Sequence, residues 1–183
     1  MSEPNKTLWP YIYGHFDFQT VYDRFAEITK PGDVVVEVGC LLGKSACYLG
    51  EKLKKRNATL VCVDTWPDHY VNEGGVVVER TYDSFCANCR QSGLSDVIVP
   101  MRMPSLRAAS LLCNGLAAVF IDADHTYEAV KADIAAWRVK IRSGGLIAGH
   151  DFGYTYPGVK RAVAEFYGRS VSIIGQSWAH VIP

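Results

Sequence analysis

The chain has 183 residues, 49% of them hydrophobic, and its 19 basic residues balance 19 acidic ones. That length suits one domain with a real core. The balanced charge offers neither a nucleic-acid footprint nor a polybasic membrane face. No apolar run approaches the ~20 residues of a membrane span, and residues 1–10 lack a signal-peptide core, so a cytoplasmic protein is expected. Six cysteines suit that compartment as thiols. Cys40, Cys47, Cys62 and Cys113 fall in apolar patterns and are expected in the core. Cys86 and Cys89 form a single C-x-x-C without the further ligands that a zinc site requires.

Residues 1–30 are expected to form an N-terminal cap and a helix. Trp9, Tyr11, Tyr13, Phe16 and Phe18 crowd a proline-marked segment that either lies over the domain or makes a homo-oligomer contact. Phe18, Val21, Tyr22, Phe25 and Ile28 then follow helical spacing, stopped by Lys30-Pro31-Gly32-Asp33. Residues 31–183 are expected to form one ligand-binding domain. The run Val34-Val35-Val36-Glu37-Val38 reads as a buried parallel strand feeding a glycine turn and a helix to Lys54.

Leu60 to Asp64 is a second strand ending in an acid. Its distance from Gly39 fits the crossover spacing in which a carboxylate meets ribose hydroxyls. Thr65 to Val78 has no clean period and reads as a lid. Glu79 to Arg90 is helical in pattern, and Val97-Ile98-Val99 a third strand. A turn from Pro100 to Ser105 and a helix through Leu112 follow. Leu116 to Asp122 is the fourth strand. Tyr127, Val130, Ile134, Trp137 and Ile141 mark an amphipathic helix, which Ser143-Gly144-Gly145 ends. Leu146 to Gly149 is the fifth strand, closing on His150-Asp151. A helix over Gly158 to Tyr167 and an antiparallel pair, Val171–Ile174 and Trp178–Ile182, finish the chain. Strands alternating with helices imply an α/β fold, a doubly wound, mostly parallel seven-stranded sheet with a closing hairpin.

Three readings compete for the turn from Gly39 to Ser45. A dinucleotide fingerprint has glycine where Leu41 stands. A phosphate-binding loop needs one more residue than G-x-x-x-G-K-S provides, although Val119-Phe120-Ile121-Asp122 mimics its magnesium-binding strand. The third pattern is E-x-G-x-x-x-G, with Glu37 two residues before Gly39. It resembles the first motif of class I S-adenosylmethionine-dependent methyltransferases. Ile121-Asp122-Ala123-Asp124-His125-Thr126-Tyr127, then Trp137, Ser-Gly-Gly-Leu-Ile-Ala-Gly-His-Asp and Pro157-Gly158-Val159-Lys160-Arg161-Ala162-Val163, narrow the resemblance. They resemble the branch of small O-methyltransferases with an I-D-x-D-H-x-Y signature, similar to those that methylate sugars of natural products. The likeness spans about Val34 to Phe166.

The resemblance implies S-adenosylmethionine as cofactor, a Rossmann-like methyltransferase fold and methyl transfer to an oxygen of a small-molecule acceptor. Neither nucleic acid nor membrane is an expected partner. Glu37, Gly39, Gly43, Lys44, Ser45, Asp64, Thr65, Ser105 and Asp122 are the implied cofactor residues, with Met103 and Leu106 beside the adenine. Asp122, His150 and Asp151 occupy the places where metal-dependent relatives bind a divalent ion. With His150 in place of a carboxylate, the set suits manganese, iron or zinc, or no metal, better than magnesium. His125 matches a general base, a role that an imidazole titrating near neutrality can fill. Asp124 is placed to cap the helix starting near Thr126. Two alternatives are a nucleoside-triphosphate-using enzyme built on Gly39–Ser45 and a non-catalytic adenosyl-binding subunit.

Overall fold

Strands without polar faces need cover on both sides, and the fold supplies it. The computed structural model describes residues 7–71 and 74–183. A 3-10 turn, Trp9–Tyr11, precedes α1 (Gln19–Ile28), β1 (Val34–Val38), α2 (Lys44–Lys54) and β2 (Thr59–Asp64). Then come β3 (His69–Val71), β4 (Val77–Glu79), α3 (Thr81–Gln91), β5 (Ile98–Arg102), α4 (Ser105–Leu111) and β6 (Leu116–Ile121). The chain continues through α5 (Tyr127–Arg138), β7 (Ile141–Gly149), α6 (Pro157–Tyr167), β8 (Ser172–Ile174) and β9 (Ser177–Val181).

The main sheet has seven strands in the order β5-β2-β1-β6-β7-β9-β8. Pairings from β5 to β7 are parallel, whereas β9 runs antiparallel to both β7 and β8. Alternate side chains sort cleanly to the two faces. Val35, Leu60, Cys62 and Phe120 join a core with Tyr22 and Phe25 of α1, Leu49 of α2 and Phe85 of α3. Val36, Val61, Val63 and Val119 join a second core with Ile134 and Trp137 of α5 and Val159 of α6. The chain winds outward from β1 to β2 and β5, then returns to β6 on the other side. The β1–β6 boundary is therefore the topological switch point, where open α/β sheets form their ligand crevice.

Several expected features take a different form in the structure. Strand β5 continues through Pro100 to Arg102, tolerable because β5 is an edge strand and proline's missing N–H costs it no second ladder. Ile141 belongs to β7, paired with Leu116, rather than to α5, so Ser143-Gly144-Gly145 lies inside a strand irregularity. The segment expected as an irregular lid carries the β3–β4 antiparallel hairpin, which takes Glu79 from the helix. Cys113 is exposed, because α4 ends at Leu111 and leaves it in the following turn. Cys40, Cys47 and Cys62 are buried, and all six cysteines are free thiols.

Phe16 and Phe18 of the N-terminal segment enter the first core. Phe18 stacks on Phe120 at 4.5 Å between centroids, while Tyr11 stays 79% exposed. Among the described residues, no helix is long and apolar enough to cross a membrane.

Candidate active site

The turn after β1 is built from its own backbone. Gly39 has φ +87°, and a Cβ there would lie 2.0 Å from the Asp122 carbonyl oxygen, so the two strand ends approach as closely as only glycine allows. The Cys40 and Leu41 amides both donate to Asp64 Oδ2, at 2.8 and 3.0 Å, and the Trp66 amide donates to Oδ1 at 2.8 Å. Leu41 adopts φ +43°, left-handed backbone that a leucine rarely takes. It is clamped there by Asp64 on its N–H and by Trp66 Nε1, which donates to its carbonyl at 2.7 Å. A carboxylate thus occupies amides that a phosphate loop would present to its ligand. That geometry argues against the nucleoside-triphosphate reading.

Below the turn, Glu37 is 1% exposed and accepts a hydrogen bond from Ser45 Oγ at 2.5 Å. Burial pushes its carboxyl up to about 8 despite the opposing hydrogen bond from Ser45. A cavity of about 1300 Å³ opens above the strand ends. Of the expected cofactor residues, Gly39, Lys44, Ser45, Asp64, Thr65, Ser105 and Asp122 line it, as do Met103 and Leu106. Glu37 and Gly43 do not appear in its wall. Glu37 supports the helix start through Ser45, and Gly43 backs onto the Phe85 ring.

At the β5 side of the cavity, Ser105 Oγ donates to Asp133 Oδ1 at 2.6 Å and accepts from Trp137 Nε1 at 2.9 Å. Asp133 lines the same cavity, and burial raises its carboxyl to about 6, with the Ser105 hydrogen bond opposing. This acid was absent from the expected site. Its signal is its position between Val130, Ile134 and Trp137, a carboxylate on the buried stripe of α5.

At the β7 side, His125 Nε2 lies 2.8 Å from Asp151 Oδ2 and 3.9 Å from Asp122 Oδ1, with the Tyr156 ring 4.2 Å away between centroids. Asp122 and Asp151 together raise the imidazole to about 10, against its partial burial. It is therefore a far stronger base than the near-neutral titration expected from sequence. Asp151 works from φ +59°. Burial opposes its charge, but His125 and His150 hold its carboxyl well below the ordinary range. Helix α5 is capped by Thr126, whose hydroxyl accepts from the Ala129 amide. Asp124 stands one step earlier, accepting from the Thr126 amide at 2.7 Å.

A family model described as a methyltransferase domain matches residues 36–152, well over half of the chain. The chain belongs to this methyltransferase family. Solved structures share the fold of this S-adenosylmethionine-dependent methyltransferase at low identity. One from Klebsiella pneumoniae, described as an O-methyltransferase, is 15% identical with a TM-score of 0.69, covering 99% of this chain and 92% of that one. The O-methyltransferase from Bacillus cereus in complex with S-adenosylhomocysteine is 17% identical with a TM-score of 0.66, covering 94% and 85%. A protein from Clostridium thermocellum described as an rRNA methylase is 14% identical with a TM-score of 0.65, covering 92% and 97%. No curated protein matches the sequence.

In the methyltransferase, the expected metal residues Asp122, His150 and Asp151 do converge, with one donor atom from each within 4.8 Å of the others. Two of the three, His150 and Asp151, are already engaged. Asp151 Oδ2 faces His125, and its Oδ1 lies 3.3 Å from His150 Nδ1. Sequence reasoning missed His15 and Asp17. Asp17 Oδ1 lies 2.9 Å from His150 Nε2, and its Oδ2 lies 3.3 Å from His15 Nε2. These contacts bring the N-terminal segment to the end of β7, across a separation that no local pattern reports.

Proposed function

We propose that this methyltransferase transfers a methyl group from S-adenosylmethionine to a hydroxyl oxygen of a small molecule. The observation that carries the reading is the His125–Asp151 pair in the wall of the cavity that also contains the glycine turn. When bound, the cofactor supplies a methyl group already made electrophilic by its sulfonium. The protein's remaining work is alignment of the nucleophile and removal of its proton.

The residues present fit that ligand. Gly39, Lys44 and Ser45 would flank its methionine part. Asp64 and Thr65 would meet the ribose, because among the described residues Asp64 Oδ1 accepts from one backbone amide and keeps acceptor capacity. Met103, Ser105, Leu106 and Asp133 would surround the adenine. A cavity of about 1300 Å³ exceeds the roughly 300–1,000 Å³ of ordinary small-molecule pockets, which leaves room for an acceptor as well. Neutral His125 would take the hydroxyl proton, and Asp151 would stabilise the imidazolium so formed. Tyr156 and Tyr70 line the same space with exposed ring surface, which suits an acceptor carrying hydroxyls on a ring, a sugar or a phenol. The balanced charge of the chain gives an RNA acceptor no electrostatic support.

Incubating the protein with S-adenosylmethionine and pooled sugars, phenols and hydroxy acids tests the reading. Release of S-adenosylhomocysteine together with an O-methylated product is expected. Transfer to nitrogen or carbon alone would overturn it, and tight cofactor binding with no transfer would favour the non-catalytic subunit.

A further inference from the structure

We propose that His15, Asp17 and His150 form a binding site for one divalent transition-metal ion, distinct from the Asp122–His150–Asp151 group. Two imidazoles converge on a single carboxylate, each through a different oxygen, at 3.3 Å for His15 Nε2 and 2.9 Å for His150 Nε2. One donor atom from each residue lies within 4.8 Å of the other two. That is the spacing of groups that surround an ion at ligand distances of about 2.0–2.2 Å after a small closure.

The second ring nitrogen of His150 decides between the two groups. Its Nδ1 faces Asp151 Oδ1 at 3.3 Å and can keep its proton there, while an ion would displace the Nε2 proton that the 2.9 Å contact with Asp17 uses and take that lone pair. A ligating histidine that donates its other N–H to a carboxylate is the usual outer-shell arrangement of metal sites. Binding at Asp122–His150–Asp151 would instead require Nδ1 and would compete with the His125–Asp151 contact. The His150 ring is also immobilised, 6% exposed and 5.1 Å from the Phe18 ring, one residue beyond Asp17.

Two nitrogens and one carboxylate select zinc, cobalt, iron or manganese over magnesium or calcium, whose shells are oxygen. Three protein ligands leave an open position for water or a ligand oxygen. His15 and His150 both line the large cavity, so that position adjoins the space assigned above to the acceptor. The site itself does not depend on the methyl-transfer reading.

Cobalt(II) alone, titrated into metal-stripped full-length protein, tests it by visible absorption and calorimetry. One equivalent is expected to bind and give ligand-field bands. His15→Ala and Asp17→Asn, both at exposed positions, should fold normally and weaken binding at least 10–100-fold. Asp122→Asn should bind like wild type. Absence of stoichiometric binding would overturn the proposal. So would His15→Ala and Asp17→Asn titrating like wild type, or loss of binding in Asp122→Asn alone.

Discussion

His125 Nε2 sits 2.8 Å from Asp151 Oδ2, and Asp151 holds that contact from left-handed backbone at φ +59°. Aspartate tolerates this region better than most residues, yet the conformation still costs about 1–3 kcal/mol and persists only where surrounding structure enforces it. Here β7 ends two residues earlier at Gly149, the buried His150 follows it, and α6 begins six residues later. The chain must turn sharply between them, and the turn delivers a carboxylate to an imidazole.

His125→Ala should therefore lower the methyl-transfer rate roughly 10²–10⁴-fold while leaving S-adenosylhomocysteine affinity nearly unchanged. The pH profile adds a sharper check. Asp122 and Asp151 raise the imidazole to about 10, so its neutral form grows only on the alkaline side and kcat/KM should climb toward that pH. Asp151→Asn removes one carboxylate and should bring the limb down toward the ordinary histidine value. A wild-type limb near neutrality would show that the carboxylates do not act on His125 as described.

Asp64 carries two jobs that one substitution separates only with two measurements. Its carboxylate ties the Cys40, Leu41 and Trp66 amides and also faces the cavity. Asp64→Ala should weaken S-adenosylhomocysteine binding by about 1.5–3 kcal/mol, the range for hydrogen bonds to a charged group. It should also lower the melting temperature, because three amides lose their acceptor. Unchanged affinity in calorimetry, with a lowered melting temperature, would confine Asp64 to holding the turn.

Much of the fold was legible because its strands are apolar runs with acids at their ends. The errors fell where tertiary context outweighs pattern. Pro100 looked like a strand stop, yet an edge strand accepts it. Ile141 sits four residues after Trp137 and so mimicked another helical turn, yet it pairs with Leu116 in the sheet. In the site, Asp64, Asp122, His125, His150 and Asp151 were visible because strand ends share one crevice. Asp17 was not, since it meets His150 across 133 residues of sequence. Nor does a leucine at position 41 announce positive φ, because Trp66 and Asp64, not the residue type, enforce it.

Glu37 sets a stability trend with pH. Its folded carboxyl is raised to about 8, above the ordinary 4.5, so the folded state holds the proton more tightly. Its contribution is complete below about pH 4.5 and declines as pH rises toward 8. Glu37→Gln keeps an acceptor for Ser45 without a buried charge, so its melting temperature should fall less than wild type between pH 5 and 8. Parallel declines in both proteins would remove Glu37 as the cause.

Asp133 belongs to the adenine side in the same reading. Asp133→Ala should weaken S-adenosylhomocysteine binding at pH 7.5 by about 1.5–3 kcal/mol if its carboxylate accepts from the ligand. Wild-type affinity should fall as pH drops through about 6, where the carboxyl gains its proton. Calorimetry at both pH values checks this. Identical affinities for variant and wild type would limit Asp133 to fixing Ser105 and Trp137.

Gly39 tests how rigidly the crevice is built. A Cβ there would meet the Asp122 carbonyl oxygen at 2.0 Å, and neither neighbour can retreat easily. The Gly39 amide donates to the Val63 carbonyl at 2.9 Å, and the Asp122 amide donates to the Val38 carbonyl at 2.8 Å. Gly32 provides the control, with φ +83° and no heavy atom within 4 Å of its Cβ position. Gly32→Ala should cost only the backbone term, about 1–3 kcal/mol. Gly39→Ala should cost that and the clash. At about 2–4 °C per kcal/mol for a chain of this size, its melting temperature should fall clearly further than that of Gly32→Ala. Equal drops in the two variants would mean that the β1 and β6 ends separate freely, and that the switch-point crevice is softer than its hydrogen bonds imply.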